Sequence, residues 1–292
     1  MGALKRLLIA LLLVLVAPAF SLAQSEQVSA QPKIPELDDI TISPSRNELV
    51  MMPGAVKTVV VKLIYTSVSG KAEPTRVFAY PGDWSLSRDG KMGFYKPGTI
   101  ANSACAWLTY SPIEDTIMPG NTHAIRVTIS VPADAKPGDH LAVLFVEPRG
   151  DNLKIAQNQK QVRMKFRLAS IFYIMVPALT RKPSLENLKA EAGENAVVVT
   201  PTFKNQGNSH VRPACSIKVV DQAGVIVAEV SNVELLPVLA LSEIDLPVKV
   251  DVSLGEGVYQ VRCRVDFGYG EVTEGQTDLI VRSKPGKDAH NN

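Results

Sequence analysis

From about residue 40 onward, apolar and polar side chains alternate with a period of two, in short runs, and the three-to-four spacing of an amphipathic helix is almost absent. Such runs predict strands at Thr58 to Tyr65, Arg76 to Tyr80, Ala124 to Val131, Leu141 to Val146 and Val162 to Ile174. Further runs follow at Ala196 to Phe203, Cys215 to Val220, Val225 to Val230, Leu246 to Val252, Tyr259 to Phe267 and Thr277 to Val281. Between them lie Pro53-Gly54, Pro81-Gly82, Asp89-Gly90, Pro97-Gly98, Pro119-Gly120, Pro137-Gly138, Gln206-Gly207 and Gly268-Tyr269-Gly270. These residues supply the fixed or positive φ that a reversing chain needs, so the pattern predicts an all-β protein with strands of sandwich length.

The two halves echo each other. Met118-Pro119-Gly120, an alternating strand, Lys136 to His140 and another strand compare with Leu236-Pro237, an alternating strand, Gly255 to Tyr259 and another strand. Strand pairs joined across a corner are how an immunoglobulin-like sandwich crosses between its sheets, so two immunoglobulin-like β-sandwich domains in tandem are expected. The first spans residues 39–178 and the second 185–282, with a proline-bearing, basic linker at 179–184. A polar arm (24–38) and a polar tail (283–292) flank them and are expected to be mobile.

The opening segment departs from this pattern. Lys5 and Arg6, the apolar run Leu7 to Val16 and the small-x-small site Ser21-Leu22-Ala23 predict a secretory signal peptide over residues 1–23. No later apolar stretch is long enough to span a bilayer, so the mature chain is expected without a transmembrane segment. Its removal leaves 29 Lys plus Arg against 29 Asp plus Glu. A balanced charge without a basic block argues against nucleic acid as a partner, which needs a clustered positive footprint.

Chemistry-bearing motifs are sparse. His123, His140, His210 and His290 have no ligand spacing, so no metal is expected. Adjacent carboxylates at Glu114-Asp115 face opposite sides of a strand, and no nucleophile elbow or glycine-rich phosphate loop occurs. No catalytic residue, enzyme activity or cofactor is expected. Of the three cysteines, Cys215 and Cys263 lie on strand-like runs of the second half and suit either one disulfide or two buried thiols, whereas Cys105 has an apolar, core-like setting.

One ordered series of short motifs is more specific. Ile42-Ser43-Pro44-Ser45-Arg46 with Leu49 and Pro53-Gly54, a strand ending at Asp83-Trp84, Trp107 to Pro112, Met118-Pro119-Gly120 and Val131-Pro132 together resemble the PapD-like periplasmic pilus-assembly chaperones, over about residues 40–178. The resemblance implies two sandwiches set as a boomerang and a periplasmic or secreted location. It also implies secreted or pilus-type protein subunits as partners, bound when the last strand of the first domain lends them an edge and alternate apolar side chains. That strand corresponds to Val162, Met164, Phe166 and Leu168, which alternate with Arg163, Lys165 and Arg167. The family also anchors the client's terminal carboxylate with an Arg on the first strand and a Lys near the end of the last. Arg46 matches the Arg, but Phe172 stands where the Lys belongs, between uncharged Ile171 and Tyr173, leaving Arg167 as a possible second anchor by another geometry.

The residues themselves leave other readings open. Val162 to Leu168 also suits an ordinary half-buried strand, with its basic face guarding an edge against self-pairing. In that case the protein is a structural or adhesive envelope protein whose sandwiches act as spacers without a client. A sugar- or peptide-binding module would require a platform built from Trp84, Trp107, Tyr80, Tyr95 or Tyr110, and both tryptophans suit a sandwich core better.

Overall fold

The computed structural model describes residues 39–68, 70, 72–149 and 166–282. The expected signal peptide, arm and tail, as well as Val162 and Met164, lie outside the described residues.

The chain is all-β. The first sandwich comprises β1 (Asp39–Ser43), β2 (Arg46–Val50), β3 (Val56–Thr66), β4 (Thr75–Leu86), β5 (Met92–Tyr95), β6 (Leu108–Ser111), β7 (Glu114–Ile117), β8 (Thr122–Ser130), β9 (Gly138–Arg149) and β10 (Leu168–Val176). A 3₁₀ turn at Cys105–Trp107 is its one helical piece among the described residues. One sheet runs β1-β3-β8-β6; the other runs β2-β10-β9-β4-β5, with β7 also on β4. Alternation sets the core: Val61, Leu63 and Tyr65 of β3 and Ile125, Val127 and Ile129 of β8 turn inward onto Ala142, Leu144 and Val146 of β9.

The larger sheet is covered on both faces at its centre, as the continuous apolar runs Leu141 to Val146 and Ile171 to Val176 require. On its second face Trp84, Leu141, Val143, Phe145 and Tyr173 form a separate cluster with Leu239 of the following sandwich.

That second sandwich comprises β11 (Pro183–Ala192), β12 (Ala196–Asn205), β13 (Ala214–Val220), β14 (Ile226–Glu234), β15 (Ser242–Asp245), β16 (Val248–Asp251), β17 (Gly257–Asp266) and β18 (Val272–Val281). β11 starts inside the stretch read as linker. One sheet orders β11-β12-β15 with β16 also on β12, and the other orders β14-β13-β17-β18. Its core centres on Val197, Val199, Phe203, Ile217, Val261 and Val265.

Among the described residues, three groups of polar contacts brace the sandwiches together. At the β4–β5 turn, Arg88 lies 3.1 Å from Asp245 and 2.7 Å from Glu243, and its carbonyl accepts from Asp245 N at 2.7 Å. At the start of β9, Asp139 Oδ2 accepts from His210 N at 2.6 Å and faces His210 Nδ1 at 2.6 Å, both side chains being buried. Gly138, at φ 128°, allows this approach, because a Cβ there would lie 2.8 Å from Asn208 O. The third brace, Glu48 to Arg212, forms part of the site.

Candidate functional site

The site is built where the first strand changes sheet. β1 pairs antiparallel with β3; the chain then passes through Pro44 and Ser45, and β2 pairs parallel with β10, setting Arg46 beside Ile171. From Ile171 to Met175, β10 is therefore hydrogen-bonded on both sides, to β2 and to β9. From Leu168 to Ser170 it pairs with β9 alone. Ser170 closes the paired stretch by donating its hydroxyl to Pro44 O at 2.7 Å, and Ile171 N donates to Ser45 O at 2.9 Å. Among the described residues, the strand edge without a second neighbour thus runs from Leu168 to Ser170.

Alternation along β10 decides what each side chain can reach. Leu168, Phe172, Ile174 and Val176 face the sandwich's own core; Ala169, Ile171 and Tyr173 face the opposite side. Leu168, expected on the donor edge, is half-buried and packs against the sandwich's own core. Phe166 is 57% exposed. Phe172 is fully buried, so this position is one where a lysine could not point toward the other sandwich.

Between the sandwiches lies a cleft of about 670 Å³, walled by residues 42–46 and by Ala169, Ile171 and Tyr173 of β10. Trp84, Leu86 and Met92 from the β4–β5 hairpin and Arg212, Leu236 and Pro237 from the second sandwich complete it. The charged residues on this wall, among the described residues, are both arginines, Arg46 and Arg212. Behind them Glu48 Oε1 accepts from Arg212 Nε at 3.0 Å and Nη2 at 2.6 Å, and Arg46 Nε lies 3.3 Å from the same oxygen. The Arg212 guanidinium stands 5.3 Å from the centre of the Tyr173 ring. Burial pushes the Tyr173 phenol up to about 12, so it stays a neutral wall.

Arg167 is placed elsewhere. Its guanidinium lies over Phe145 at 4.1 Å and over Phe94 at 5.2 Å, and it is absent from the cleft wall that holds Arg46. The residue that sequence reasoning missed is Arg212. Its signal was weak, since it lies in the second half, 166 positions beyond Arg46, in a loop with no periodicity.

Other candidate residues have structural roles. Asp83, fully buried, accepts from Thr99 N (2.6 Å), Ile100 N (2.9 Å), Ser103 Oγ (2.5 Å) and Cys105 Sγ (3.0 Å). Burial raises its carboxyl, but the bonds from Ser103, Cys105, Ile100 and Thr99 together hold it below its ordinary value. Burial, joined by the bond to Asp83, pushes the Cys105 thiol up to about 12. Cys215 and Cys263 are both free and buried. Their strands pair Cys215 with Val265 and Ile217 with Cys263, which makes the two cysteines diagonal neighbours. Their thiols lie close enough to share a hydrogen bond. Of the alternatives left open by the sequence, the structure holds buried thiols. Trp84 is fully buried and Trp107 half-buried, on the core of the first sandwich, so neither builds an exposed aromatic platform.

No protein-family model matches the chain, and no curated protein does. Solved structures do match. The class 5 fimbriae chaperone CfaA is 13% identical over 84% of this chain and 100% of its own, with a TM-score of 0.41. The CupB2 chaperone of Pseudomonas aeruginosa is 14% identical over 80% of this chain and 97% of its own, at 0.37. The E. coli chaperone DraB is 12% identical over 84% and 97%, at 0.40. All three of these proteins are chaperones, CfaA one of class 5 fimbriae.

Proposed function

We propose that this protein is an exported, chaperone-like binding protein that captures secreted or pilus-type subunits by β-strand pairing at the first sandwich. The observation that carries this reading is the asymmetry of β10, which is paired on both sides from Ile171 to Met175 but, among the described residues, on one side only from Leu168 to Ser170. An incoming strand can add main-chain hydrogen bonds at such an edge, and Phe166 stands out beside it. The strand runs from this edge past a cleft whose charges are arginines, where a client's terminal carboxylate can meet Arg46.

The alternative, a pair of rigid spacer domains without a client, draws support from Leu168 packing on its own core and from the braces between the sandwiches. A pull-down of the tagged mature protein from its own envelope separates the two readings, with Phe166→Glu alongside. Small β-rich subunits that co-purify with the wild type and vanish with the variant establish capture by the strand. A well-folded wild type that recovers no client establishes the spacer.

A further inference from the structure

We propose that the outer face of the second sandwich carries an anion site, built from Lys218, Arg262 and Arg264, that takes a phosphate monoester. The site lies away from the cleft and does not depend on the function proposed above. Alternation along β13 and β17 fixes its make-up. Cys215, Ile217, Val219, Val261, Cys263 and Val265 turn into the core, so Ser216, Lys218, Arg262 and Arg264 turn outward. Register then sets Lys218 directly opposite Arg262, and Ser216 opposite Arg264. On the next strand, β18, Gln276 lies opposite Arg262 and Glu274 opposite Arg264.

Two features point to a ligand. The first is a like-charge pair without relief. Directly opposite residues on paired strands have Cβ atoms roughly 4.5–5.5 Å apart, and like charges there are destabilising. Lys218 reaches Glu229 at 3.6 Å and Arg264 reaches Glu274 at 3.7 Å. Among the described residues, Arg262 has no carboxylate in ion-pair contact, and its Nε donates to Gln260 Oε1 at 2.7 Å. The second feature is a cavity of about 390 Å³ at this spot, walled by Ser216, Lys218, Arg262, Arg264, Glu274 and Gln276. Its floor is main chain at Cys263 and Gly275. The Cys263 side chain is buried in the core, and a Cβ on Gly275 would point the same way, 2.8 Å from Leu185 Cδ2.

The wall selects the ligand. Three cations against the single carboxylate of Glu274 leave positive charge in surplus, which suits a compact dianion better than a carboxylate. A phosphate monoester carries nearly two negative charges at neutral pH and offers strong acceptor oxygens. Seated between Lys218 and Arg262, it replaces repulsion by charge-assisted hydrogen bonds, and the planar guanidinium of Arg262 can bind it in bidentate fashion. Ser216, Glu274 and Gln276 can hydrogen-bond hydroxyls on the rest of the ester. The Lys218 and Arg264 side chains are 45% and 57% exposed, so both are reachable from solvent. Such a phosphate is carried either by a free small molecule or by a lipid headgroup.

The test is isothermal titration calorimetry of the whole protein with glycerol 3-phosphate at constant ionic strength, with glycerol as the blank. Sedimentation with phosphatidylcholine vesicles, with and without phosphatidic acid, separates the two sources. Arg262→Gln should weaken phosphate binding about tenfold, the scale of one hydrogen bond between charged groups. Without ligand, its melting temperature should match or exceed that of the wild type, because the like-charge pair is gone. Lys249→Gln removes an exposed cation from the other sheet and should bind as the wild type does. Sedimentation that needs both phosphatidic acid and Arg262 supports the site and assigns its phosphate to a lipid. Binding of glycerol 3-phosphate without sedimentation supports the site and assigns it to a free ester. A wild type that binds neither glycerol 3-phosphate nor the phosphatidic acid vesicles overturns the proposal. Equal weakening in Arg262→Gln and Lys249→Gln overturns it as well, since diffuse charge then accounts for the binding. An Arg262→Gln variant that binds like the wild type, or melts well below it without ligand, also overturns the proposal.

Discussion

Single residues in this protein divide between those that hold the fold and those that face the cleft. Asp83 belongs to the first kind, since four donors converge on a carboxylate with no exposure. Asp83→Ala should cost about 3 kcal/mol in urea unfolding, because the donors in the 99–105 loop lose their acceptor. Its folded value is depressed, so the stability it contributes is present above the unfolded carboxyl range near pH 4 and is lost as pH falls through the folded value. Denaturation curves from pH 3 to 7 should therefore slope less in Asp83→Ala than in wild type. The cysteines supply a second residue-scale prediction. With all three buried and free, and Cys105 pushed up to about 12, the native protein at pH 8 should not react with a thiol-exchange dye, whereas the denatured protein should release three thiols. A single reactive thiol after denaturation would show that Cys215 and Cys263 are bonded.

At the scale of elements, β10 makes sharply different demands on neighbouring positions. Phe166→Glu changes an exposed side chain and should shift stability by less than about 0.5 kcal/mol, while Phe172→Ala empties a fully buried site and should cost about 3–5 kcal/mol. Thermal or denaturant midpoints measured side by side check the pair, and a large loss in Phe166→Glu would mean that this residue belongs to the core. Element legibility followed the same physics. Strands β3, β8 and β9, whose buried faces are continuous, were readable from alternation or apolar runs. β11 was not, because a bulge between Leu185 and Asn187 places Leu185 and Leu188 three apart yet both against the core, breaking the period of two. The short strands β5, β6, β7 and β15 carry too few residues for any period to register.

At the scale of the whole molecule, the cleft depends on contacts that tie one sandwich to the other. The Asp139–His210 contact is buried, and breaking it leaves polar groups without partners in a dry interface. Asp139→Ala should lower stability by about 3 kcal/mol and separate the unfolding of the two sandwiches in a calorimetric scan. A single transition at the wild-type temperature would show that the interface holds without it. Arg88, bound to Asp245 and Glu243 on the exposed rim, should matter far less, and Arg88→Ala should leave the transition close to that of the wild type in the same measurement.

The all-β class and the two-sandwich plan were already determined by the sequence, because alternation and turn residues are properties of neighbours along the chain, whereas Arg46 and Phe166 became candidates only through the family resemblance. Sequence order does not say which face of β10 a residue takes relative to a distant sheet, so the burial of Phe172 and the inward turn of Leu168 emerged only once β2 and β9 were in place. The placement of Arg167 over aromatic rings and the meeting of Arg46 with Arg212 were likewise decided by tertiary structure. The reason is physical: convergence of charges across a cleft depends on how two separately folded cores pack against each other, and no periodicity within either one records it.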